Sequence, residues 1–385
     1  MILILGKGRA TGHVIEYCEH KGIEYVIHDD KKSIDKHRFN IKDKSLITEV
    51  VKSPGVPETH RLLQLFIKDS VPVIDEVAFT FRELGSPYVI AITGTNGKST
   101  TTALIGHVLS KKYQTFVGGN LYPGEPFSKA LIEREHGRVF ERYVIEVSTF
   151  QLEFSDGFYP EYGVILNIKE DHLNRHTLEE YISLKLKLAQ LSKKVIVNFD
   201  DERLKKLVIK DNIYNFSLFN KANAYIKDGF VYINGERYFS LKHFKLPGIH
   251  NQSNLLAASI VFFLEGLEDS VIEQAIETFS GLPHRLEFIG SINGKVVINN
   301  SMCTNPEALL ASVSAFEDNV VLIAGGQEKQ LSLKPVIEAF KKVKAVVLFG
   351  ENKDRLEEIL KDIHIPYKKV DSPVSYTHLT LPTKA

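Results

Sequence analysis

This chain of 385 residues has two cysteines, no net charge and no long apolar run. Each of these features excludes a class of protein. The two cysteines, Cys18 and Cys303, are far apart, so neither a disulfide framework nor a cysteine-based metal site is supported. Lysine and arginine total 48, as do aspartate and glutamate, which gives no overall attraction to nucleic acid or to an anionic membrane. No apolar run reaches the roughly 20 residues that span a bilayer. We expect a cytoplasmic protein that binds no nucleic acid and does not insert into a membrane.

The length predicts two or three domains, since a domain typically holds roughly 100 to 200 residues. Short runs rich in valine and isoleucine alternate with longer helical patterns, which is typical of parallel α/β sheets. We group the candidate strands into three sheets. The candidate strands are 2–5, 25–28, 88–92, 143–147, 164–168, 195–198, 296–299, 320–324 and 345–349.

Two breaks rich in glycine and proline, Gly85-Ser-Pro87 and Gly281-Leu-Pro283, divide the chain. We predict a Rossmann-like N-terminal domain at 1–87, a central parallel sheet of the P-loop ATPase type at 88–282, and a Rossmann-like C-terminal domain at 283–372. Turn signals at Asp228-Gly229 and Asn234-Gly235 predict a small antiparallel flap on the central domain. The final residues, 373–385, show no periodicity, and we interpret them as a non-native tail.

Residues 93–100 read Thr-Gly-Thr-Asn-Gly-Lys-Ser-Thr and join a predicted strand to a predicted helix. Such a turn aims backbone N–H groups and the positive end of a helix dipole at one point, which favours a phosphate chain. Lys98 can supply charge to the outer phosphates, and Ser99 can place a hydroxyl on Mg²⁺. The general pattern G-x-x-x-x-G-K-[ST] is not met, because an isoleucine stands where its first glycine belongs. We predict a nucleoside triphosphate ligand; the alternative is an ordinary turn that binds nothing.

The shortened loop resembles that of the Mur ligases and their folylpolyglutamate synthase relatives. The resemblance extends as far as Val370. It implies an ATP-dependent ligase that activates a carboxylate as an acyl phosphate and joins it to an amine. Within the family, residues 146–153 and Ser53-Pro-Gly-Val-Pro57 favour the members that add D-glutamate to UDP-N-acetylmuramoyl-L-alanine in peptidoglycan synthesis. The other segments that appear in the family's order are 118–120, 167–176, 248–254 and 284–287.

The resemblance implies a catalytic set, an ATP-binding set and a site for two Mg²⁺ ions. The catalytic set is Lys98, Asn120, Glu146, His172 and Lys185. The ATP-binding set is Gly94, Thr95, Asn96, Gly97, Lys98, Ser99, Thr100, Asn251, Asn254, Arg285 and Asn300. The Mg²⁺ ligands are Ser99, Glu146, His172 and Lys185, the last as a carbamylated lysine.

Each metal ligand has an ordinary alternative when its pattern is considered alone. Glu146 ends a predicted strand, where it could face the ligand crevice or merely cap the strand. His172 follows the next strand and could be a structural residue. Lys185 lies in a predicted amphipathic helix, 177–191, where lysines are usually solvated. Lys187 is close enough to be confused with Lys185, which we prefer from its register after the tyrosine at 181.

The first domain carries a weak dinucleotide-like fingerprint. The turn Gly6-Lys-Gly-Arg-Ala-Thr-Gly12 follows the first strand, and Asp29 or Asp30 ends the second strand. The last glycine is displaced by one position, so an ordinary turn without ligand is the alternative. The resemblance implies that this region holds the uridine diphosphate of the sugar substrate, with Asp75 and Glu76 completing the pocket. The implied contacts are Gly8, Arg9, Ala10, Thr11, Asp29, Ser53 and Gly55.

The third domain departs from the family pattern N-D-S-K-A-T-N at residues 299–305. Asn300 replaces the aspartate, and Met302 replaces a lysine, which removes a cation from the neighbourhood of anionic ligands. The resemblance implies that Thr304 and Lys329 contact the incoming D-glutamate. The third domain would hold about 90 residues, which is short for a domain. We therefore expect that the native chain continues, and that this chain binds ATP and the UDP-sugar but ligates poorly.

Two further functions stay open beside the D-glutamate ligase. Met302 and Asn300 motivate a Mur-type ligase with another amino acid or acceptor. The second is a nucleotide-binding homologue that acts as a regulatory or scaffolding subunit without ligase activity. The two predicted metal positions argue against it, because a scaffold has no need of them. A dinucleotide oxidoreductase is excluded, because the first-domain fingerprint is imperfect and a triphosphate loop follows it. We expect a monomer.

Overall fold

The computed structural model of the protein describes residues 1–171, 175–208, 212–317, 319–327 and 332–371. It contains two compact units, one of Met1–Lys245 with Gln252–Leu282 and one of Leu246–Asn251 with the chain from Pro283 onward. The predicted α/β class with a parallel central sheet is confirmed. The described residues form four sheets rather than the three predicted. The predicted tail and two predicted site residues, His172 and Lys329, lie outside the described residues.

The first sheet has four parallel strands in the order β2-β1-β3-β4. All four strands therefore end at one edge, where ligands bind in open parallel sheets. The strands are β1 (Ile2–Leu5), β2 (Tyr25–His28), β3 (Glu49–Lys52) and β4 (Val73–Asp75). The helices are α1 (Arg9–Lys21), α2 (Arg61–Lys68) and α3 (Glu76–Glu83), with a 3-10 helix at Ile41–Leu46.

The central sheet has nine strands in the order β13-β12-β11-β10-β9-β8-β5-β7-β6. Its strands are β5 (Val89–Thr93), β6 (Thr115–Gly119), β7 (Arg142–Glu146), β8 (Tyr162–Ile165), β9 (Lys194–Asn198), β10 (Ile213–Ser217), β11 (Ala224–Lys227), β12 (Phe230–Ile233) and β13 (Glu236–Ser240). Its helices are α4 (Lys98–Leu109), α5 (Lys129–Glu135), α6 (Thr149–Leu152), α7 (Leu178–Leu191), α8 (Glu202–Lys205), α9 (Ile249–Leu264) and α10 (Asp269–Thr278).

Strand β5 lies inside the central sheet, between β7 and β8, and is buried along its whole length. A continuous apolar run of this kind is expected where helices cover both faces of a parallel sheet. The predicted flap is confirmed as the hairpins β11-β12 and β12-β13, which extend the central sheet. Asp228 and Asn234 adopt positive φ, as a two-residue hairpin turn requires.

The second unit contains an antiparallel hairpin and a separate three-stranded parallel sheet. The predicted strand 296–299 was assigned to a parallel sheet, which is wrong, because it forms the hairpin's second strand. Asn293 and Gly294 turn the chain with positive φ, a hairpin signal that our prediction missed. The strands are β14 (Glu287–Ile292), β15 (Lys295–Asn299), β16 (Val321–Gly326), β17 (Ala345–Gly350) and β18 (Tyr367–Lys369). The helices are α11 (Pro306–Val313), α12 (Lys334–Phe340) and α13 (Lys353–Asp362).

None of the described helices has both the length and the apolar character needed to cross a membrane.

Candidate active site

The phosphate loop leaves β5 and turns directly into α4 at Lys98. Gly97 caps the helix with a φ of 86°, and a Cβ at this position would overlap the amide oxygen of Asn254. Glycine is therefore required there by both conformation and space. The Lys98 Nζ donates hydrogen bonds to the carbonyl oxygens of Gly94 (3.0 Å) and Thr95 (2.9 Å), which places its charge over the loop. A helix N-terminus and a lysine thus converge at one point, as phosphate binding requires.

A segment that follows β8 holds the phosphate loop in shape. Asn167 accepts a hydrogen bond from the Asn96 N–H (2.9 Å) and donates one to the Asn96 carbonyl oxygen (3.0 Å). The Thr95 hydroxyl accepts from the Lys169 N–H (2.9 Å) and lies 3.0 Å from the Tyr181 hydroxyl. These bonds fix the loop before any ligand binds, which favours electrostatic preorganisation. Asn167 and Tyr181 were not predicted as site residues, although Asn167 begins the segment 167–176 and Tyr181 lies in the predicted helix 177–191.

Three polar side chains that carry oxygen atoms meet beside the loop, at the carboxyl end of β7. Glu146 Oε2 accepts a hydrogen bond of 2.6 Å from the Ser99 hydroxyl, and Oε1 accepts one of 3.2 Å from the Asn120 side-chain amide. The sheet register creates this cluster, because Gly119 of β6 lies opposite Glu146 and a Cβ on that glycine would overlap the Glu146 backbone. Ser99 and Glu146 are both buried. A hydroxyl and a carboxylate are the kind of hard oxygen ligands that Mg²⁺ prefers.

Lys185 of α7 is buried, with 2% of its surface exposed. Its Nζ donates a hydrogen bond of 2.9 Å to the carbonyl oxygen of Gly94 in the phosphate loop. Burial, together with the nearby positive charge of Lys98, lowers the pKa of Lys185 well below the usual lysine value. Lys187 instead lies 3.1 Å from the exposed carboxylate of Asp156. Of these two lysines, Lys185 is therefore the one that lies beside the phosphate loop. Its lowered pKa favours the neutral amine.

The glycine-rich turn after β1 lies directly against the Ser53–Val56 loop that follows β3. A Cβ on Gly6 would lie 2.8 Å from a methyl group of Val56, and one on Gly8 would lie 2.8 Å from the Ser53 hydroxyl oxygen. The Thr11 hydroxyl closes the turn, accepting from the Gly8 N–H (2.9 Å) and donating to the Gly6 carbonyl oxygen (2.6 Å). These contacts leave little room for a side chain at either glycine, and Gly6 also has a positive φ of 88°, which favours glycine there.

Asp29 follows β2, and its carboxylate is bonded to the backbone. It accepts hydrogen bonds from the N–H groups of Lys7 (2.6 Å), Lys31 (2.8 Å) and Lys32 (2.7 Å). Partial burial opposes the effect, but these bonds hold the pKa of Asp29 below its ordinary value. Asp75 and Glu76, which we predicted to complete the same pocket, are fully buried at the end of β4 and the start of α3. Their burial raises the pKa of both carboxyl groups.

A cavity of about 170 Å³ joins the two halves of this unit. Its wall includes the predicted residues Arg9, Ser53 and Gly55 on one side and Asn120 on the other, together with Gln151, which the sequence analysis did not single out. A larger cavity of about 400 Å³ lies against α4 around Gly106 and contains none of the predicted residues. The smaller cavity is the one that adjoins the cluster of Ser99, Asn120 and Glu146 beside the phosphate loop, because Asn120 belongs to both.

Four of the predicted site residues that the structure describes belong to the second unit: Asn251, Arg285, Asn300 and Thr304. Asn300 is part of the local framework, accepting from the Leu286 N–H (3.2 Å) and donating to the Ser312 hydroxyl (2.8 Å). Asn251 donates to the carbonyl oxygen of Pro247 (2.7 Å). Thr304 lies between β15 and α11, in the segment where Met302 replaces the family's lysine.

Curated relatives match most of the chain. A UDP-N-acetylmuramoylalanine–D-glutamate ligase of Bacillus subtilis is 33% identical over an aligned length of 397 residues, gaps included, and the match covers 96% of this chain and 87% of the relative. The ligase of the same name from Caldicellulosiruptor bescii is 34% identical over 397 residues, covering 94% and 85%. That from Thermoanaerobacter pseudethanolicus is 35% identical over 331 residues, covering 82% and 72%.

Solved structures share the fold at lower identity. The UDP-N-acetylmuramate-alanine ligase of Thermotoga maritima superimposes with a TM-score of 0.66 at 22% identity, covering 99% of this chain and 93% of the other. A MurF ligase from the same organism, in complex with ADP, gives a TM-score of 0.59 at 17% identity, covering 96% and 91%.

Family models match the two regions that the phosphate loop and the third-domain segment had suggested. The model of the Mur ligase middle domain matches residues 92–262, and that of the Mur ligase glutamate ligase domain matches residues 284–380. Together with the relatives, these matches confirm the resemblance that the phosphate loop predicted. The chain belongs to the Mur ligase family.

Proposed function

We propose that the protein is an ATP-dependent ligase that joins D-glutamate to UDP-N-acetylmuramoyl-L-alanine in peptidoglycan synthesis. The observation that carries the proposal is the cluster of Ser99, Asn120 and Glu146 beside the phosphate loop, with Lys185 buried under it. The curated relatives bear the name of this ligase over most of the chain. A buried site of this kind combines phosphate binding with oxygen ligands for a metal ion, which phosphoryl transfer requires.

The chemistry needs two displacement steps. In the first, a carboxylate oxygen of the acceptor attacks the γ-phosphorus of ATP, ADP leaves, and an acyl phosphate forms. In the second, the amine of D-glutamate attacks the carbonyl carbon, phosphate leaves, and the nitrogen loses a proton. Lys98 and the N-terminus of α4 would neutralise the phosphate charge, and Asn120 would contact the transferred group. Gly97, Ser99 and Thr100, at the start of α4, would hold the phosphates through backbone N–H groups. Gly94, Thr95 and Asn96 would shape the loop, the last through its bonds to Asn167.

Ser99 and Glu146 would hold Mg²⁺, which supplies charge neutralisation for the phosphates when it is bound. His172 would be a ligand of a second ion. The lowered pKa of Lys185, caused first by burial, favours the neutral amine that reacts with CO₂. In that reaction the neutral amine nitrogen bonds to the carbon of CO₂ and loses a proton, so a neutral amine becomes an anionic carbamate. A carbamylated Lys185 would then be an oxygen ligand in place of a positive charge.

The sugar nucleotide would bind at the edge of the first sheet. Gly8, Ala10 and Thr11 form the turn whose backbone would face the pyrophosphate, and Arg9 reaches the cavity beside Asn120. The acceptor would then extend from the first sheet toward the phosphate loop, along the cavity wall that Ser53 and Gly55 form. Asp29 would act mainly by shaping the turn, since its carboxylate is bonded to three backbone N–H groups.

The amino acid would be recognised in the second unit by Thr304 and Lys329, while Arg285, Asn300, Asn251 and Asn254 would complete the ATP site. Met302 favours a second candidate, a Mur ligase that adds a different amino acid, because one expected cation is missing. We also propose a cytoplasmic location, because Cys18 and Cys303 are free thiols.

Phosphate release from ATP, measured with UDP-N-acetylmuramoyl-L-alanine and a panel of amino acids, tests the proposal. We expect release that depends on D-glutamate and on the sugar nucleotide together. Release with a different amino acid would support the second candidate. No release above that of the Lys98→Ala variant would contradict both.

A further inference from the structure

Three charged side chains, Lys52, Glu153 and Arg175, meet between the first sheet and the central sheet. Glu153 lies 3.0 Å from the Lys52 Nζ and 3.3 Å from the Arg175 Nη2. The Lys52 and Glu153 side chains are 0% and 5% exposed. One buried carboxylate therefore forms ion pairs with two cations from different parts of the chain. Such a cluster holds its partners firmly, because removing one member leaves an uncompensated buried charge.

Arg175 also holds the Ser53–Val56 loop through its backbone. Its Nη1 donates to the carbonyl oxygen of Pro54 (3.1 Å), and its Nη2 donates to that of Val56 (3.0 Å). The guanidinium lies over the Phe150 ring, 4.1 Å from the ring centre. The planar fork of arginine can make all these contacts at once, which a lysine ammonium group cannot. Arg175 therefore fixes the loop in position relative to α6 and the central sheet.

The loop that Arg175 holds forms part of the cavity. Ser53, Pro54 and Gly55 line it, and Ser53 and Val56 lie against the glycine-rich turn after β1. A small shift of the Pro54 and Val56 carbonyl groups would move this wall. The position of the proposed sugar-nucleotide site thus depends on the contacts that Arg175 makes.

Arg175 lies two residues before Thr177, whose side chain caps the start of α7. Helix α7 in turn contacts the phosphate loop at two points. The Tyr181 hydroxyl lies 3.0 Å from the Thr95 hydroxyl, and the Lys185 Nζ donates to the carbonyl oxygen of Gly94. Arg175 therefore stands between the sugar-nucleotide loop, which it contacts directly, and a helix that contacts the ATP-binding loop.

We propose that Arg175 is a positioning residue that couples sugar-nucleotide binding at the Ser53–Val56 loop to nucleotide binding at the phosphate loop. The inference rests on the proposed function, because it takes the UDP-sugar as the ligand of the cavity. A ligand that holds the Ser53–Val56 loop also holds Arg175, and with it the start of α7, the helix that contacts the phosphate loop. Each ligand then lowers the cost of binding the other.

Isothermal titration calorimetry on the whole chain tests the coupling. The affinity for UDP-N-acetylmuramoyl-L-alanine is measured with and without a saturating non-hydrolysable ATP analogue and Mg²⁺. In the wild-type protein we expect the analogue to tighten sugar-nucleotide binding by about fivefold or more. In Arg175→Lys we expect the coupling to vanish and the sugar-nucleotide affinity to fall about tenfold, while the affinity for the analogue alone changes by less than about twofold.

Arg138→Lys is the matched control, because Arg138 is exposed and pairs with Glu133 at the surface. It should retain wild-type affinities and coupling. An Arg175→Lys protein with wild-type coupling, or a wild-type protein that binds both ligands independently, would overturn the inference and leave the proposed function intact. A wild-type protein that does not bind the sugar nucleotide would overturn the proposed function itself.

Hydrogen exchange on the wild-type protein decides the matter if Arg175→Lys does not fold. Addition of the sugar nucleotide alone should slow amide exchange both in the Ser53–Val56 loop and at the start of α7. Slowed exchange in the loop without any change at α7 would contradict the coupling. In a folded Arg175→Lys protein, a purely structural role for Arg175 would lower the melting temperature and leave the coupling between the two ligands unaltered.

Discussion

The side-chain nitrogen of Lys185 donates a hydrogen bond to the carbonyl oxygen of Gly94, 2.9 Å away, although helix α7 and the phosphate loop are 91 positions apart in the chain. Lysines in amphipathic helices usually reach solvent, whereas this one is buried under the loop. Burial of an unmodified ammonium group is costly, and the lowered pKa of Lys185 expresses that cost. A buried lysine beside a phosphate site indicates a functional role for its amine.

Replacement of Lys185 by methionine keeps the volume and removes the amine. We expect ATP turnover to fall by on the order of 100-fold, with little change in ADP affinity, because the carbamate proposed for this lysine could no longer form and supply an oxygen ligand to Mg²⁺. Added acetate should restore part of the turnover by supplying a carboxylate. Lys187→Met, on the same helix but paired with Asp156, is the control and should be near wild type. Wild-type turnover in Lys185→Met would exclude a role for this side chain.

Carbamate formation on Lys185 should depend on pH in a defined direction. Because burial lowers the pKa of Lys185, its neutral amine is present at a lower pH than that of an exposed lysine, and the neutral fraction increases as pH rises toward that pKa. The ¹³C signal of a carbamate, measured with labelled bicarbonate, should therefore appear near neutral pH and grow as the pH is raised. It should be absent from Lys185→Met. A signal of equal size in that variant would assign the modification to another lysine.

Gly97→Ala tests whether the phosphate loop is required in its observed shape. Gly97 has a positive φ, and an added Cβ would overlap Asn254, so we expect ADP affinity to fall at least about tenfold. Gly137→Ala is a matched control, because Gly137 also has a positive φ but its Cβ would meet no atom within 4 Å. Both variants should lose about 1 kcal/mol of unfolding free energy from backbone strain. If Gly97→Ala binds ADP as tightly as Gly137→Ala, the close contact with Asn254 does not constrain the site.

The first unit should lose stability as the pH falls below about 6.5, the value for an unfolded histidine. Burial lowers the pKa of His13, His107 and His176, so the unfolded chain binds protons at pH values where the folded chain does not. By linkage, the free energy of unfolding then decreases as pH falls through this window and is restored as pH rises. Denaturant unfolding at pH 7.5 and 5.5 measures the difference. His107→Gln should reduce it, and an unchanged pH dependence in that variant would exclude His107 as a contributor.

Local sequence patterns predicted the elements that depend on neighbouring residues. The strands β1 and β2 and the flap turns were predicted because apolar runs and Asp-Gly or Asn-Gly pairs report directly on the local backbone. The hairpin β14-β15 was missed although its Asn293-Gly294 turn carries the same signal. The phosphate loop was identified because its glycines, lysine and serine are contiguous.

Contacts between distant segments could not be predicted in the same way. The bonds of Asn167 to Asn96 and of Arg175 to Pro54 depend on which strands become neighbours in the folded sheets. No periodicity in a single sequence encodes such pairings. Lys185 was preferred over Lys187 from its register after Tyr181 within a resemblance to the family. The burial that separates the two lysines exists only in the folded chain.

Incorporation of radiolabelled D-glutamate into UDP-N-acetylmuramoyl-L-alanine tests the central claim most directly. With ATP and Mg²⁺, the wild-type protein should form labelled product, slowly but in proportion to the phosphate released. Lys98→Ala should form none, because its loop lacks the cation that faces the phosphates. Phosphate release by the wild-type protein without any label entering the sugar nucleotide would contradict the account.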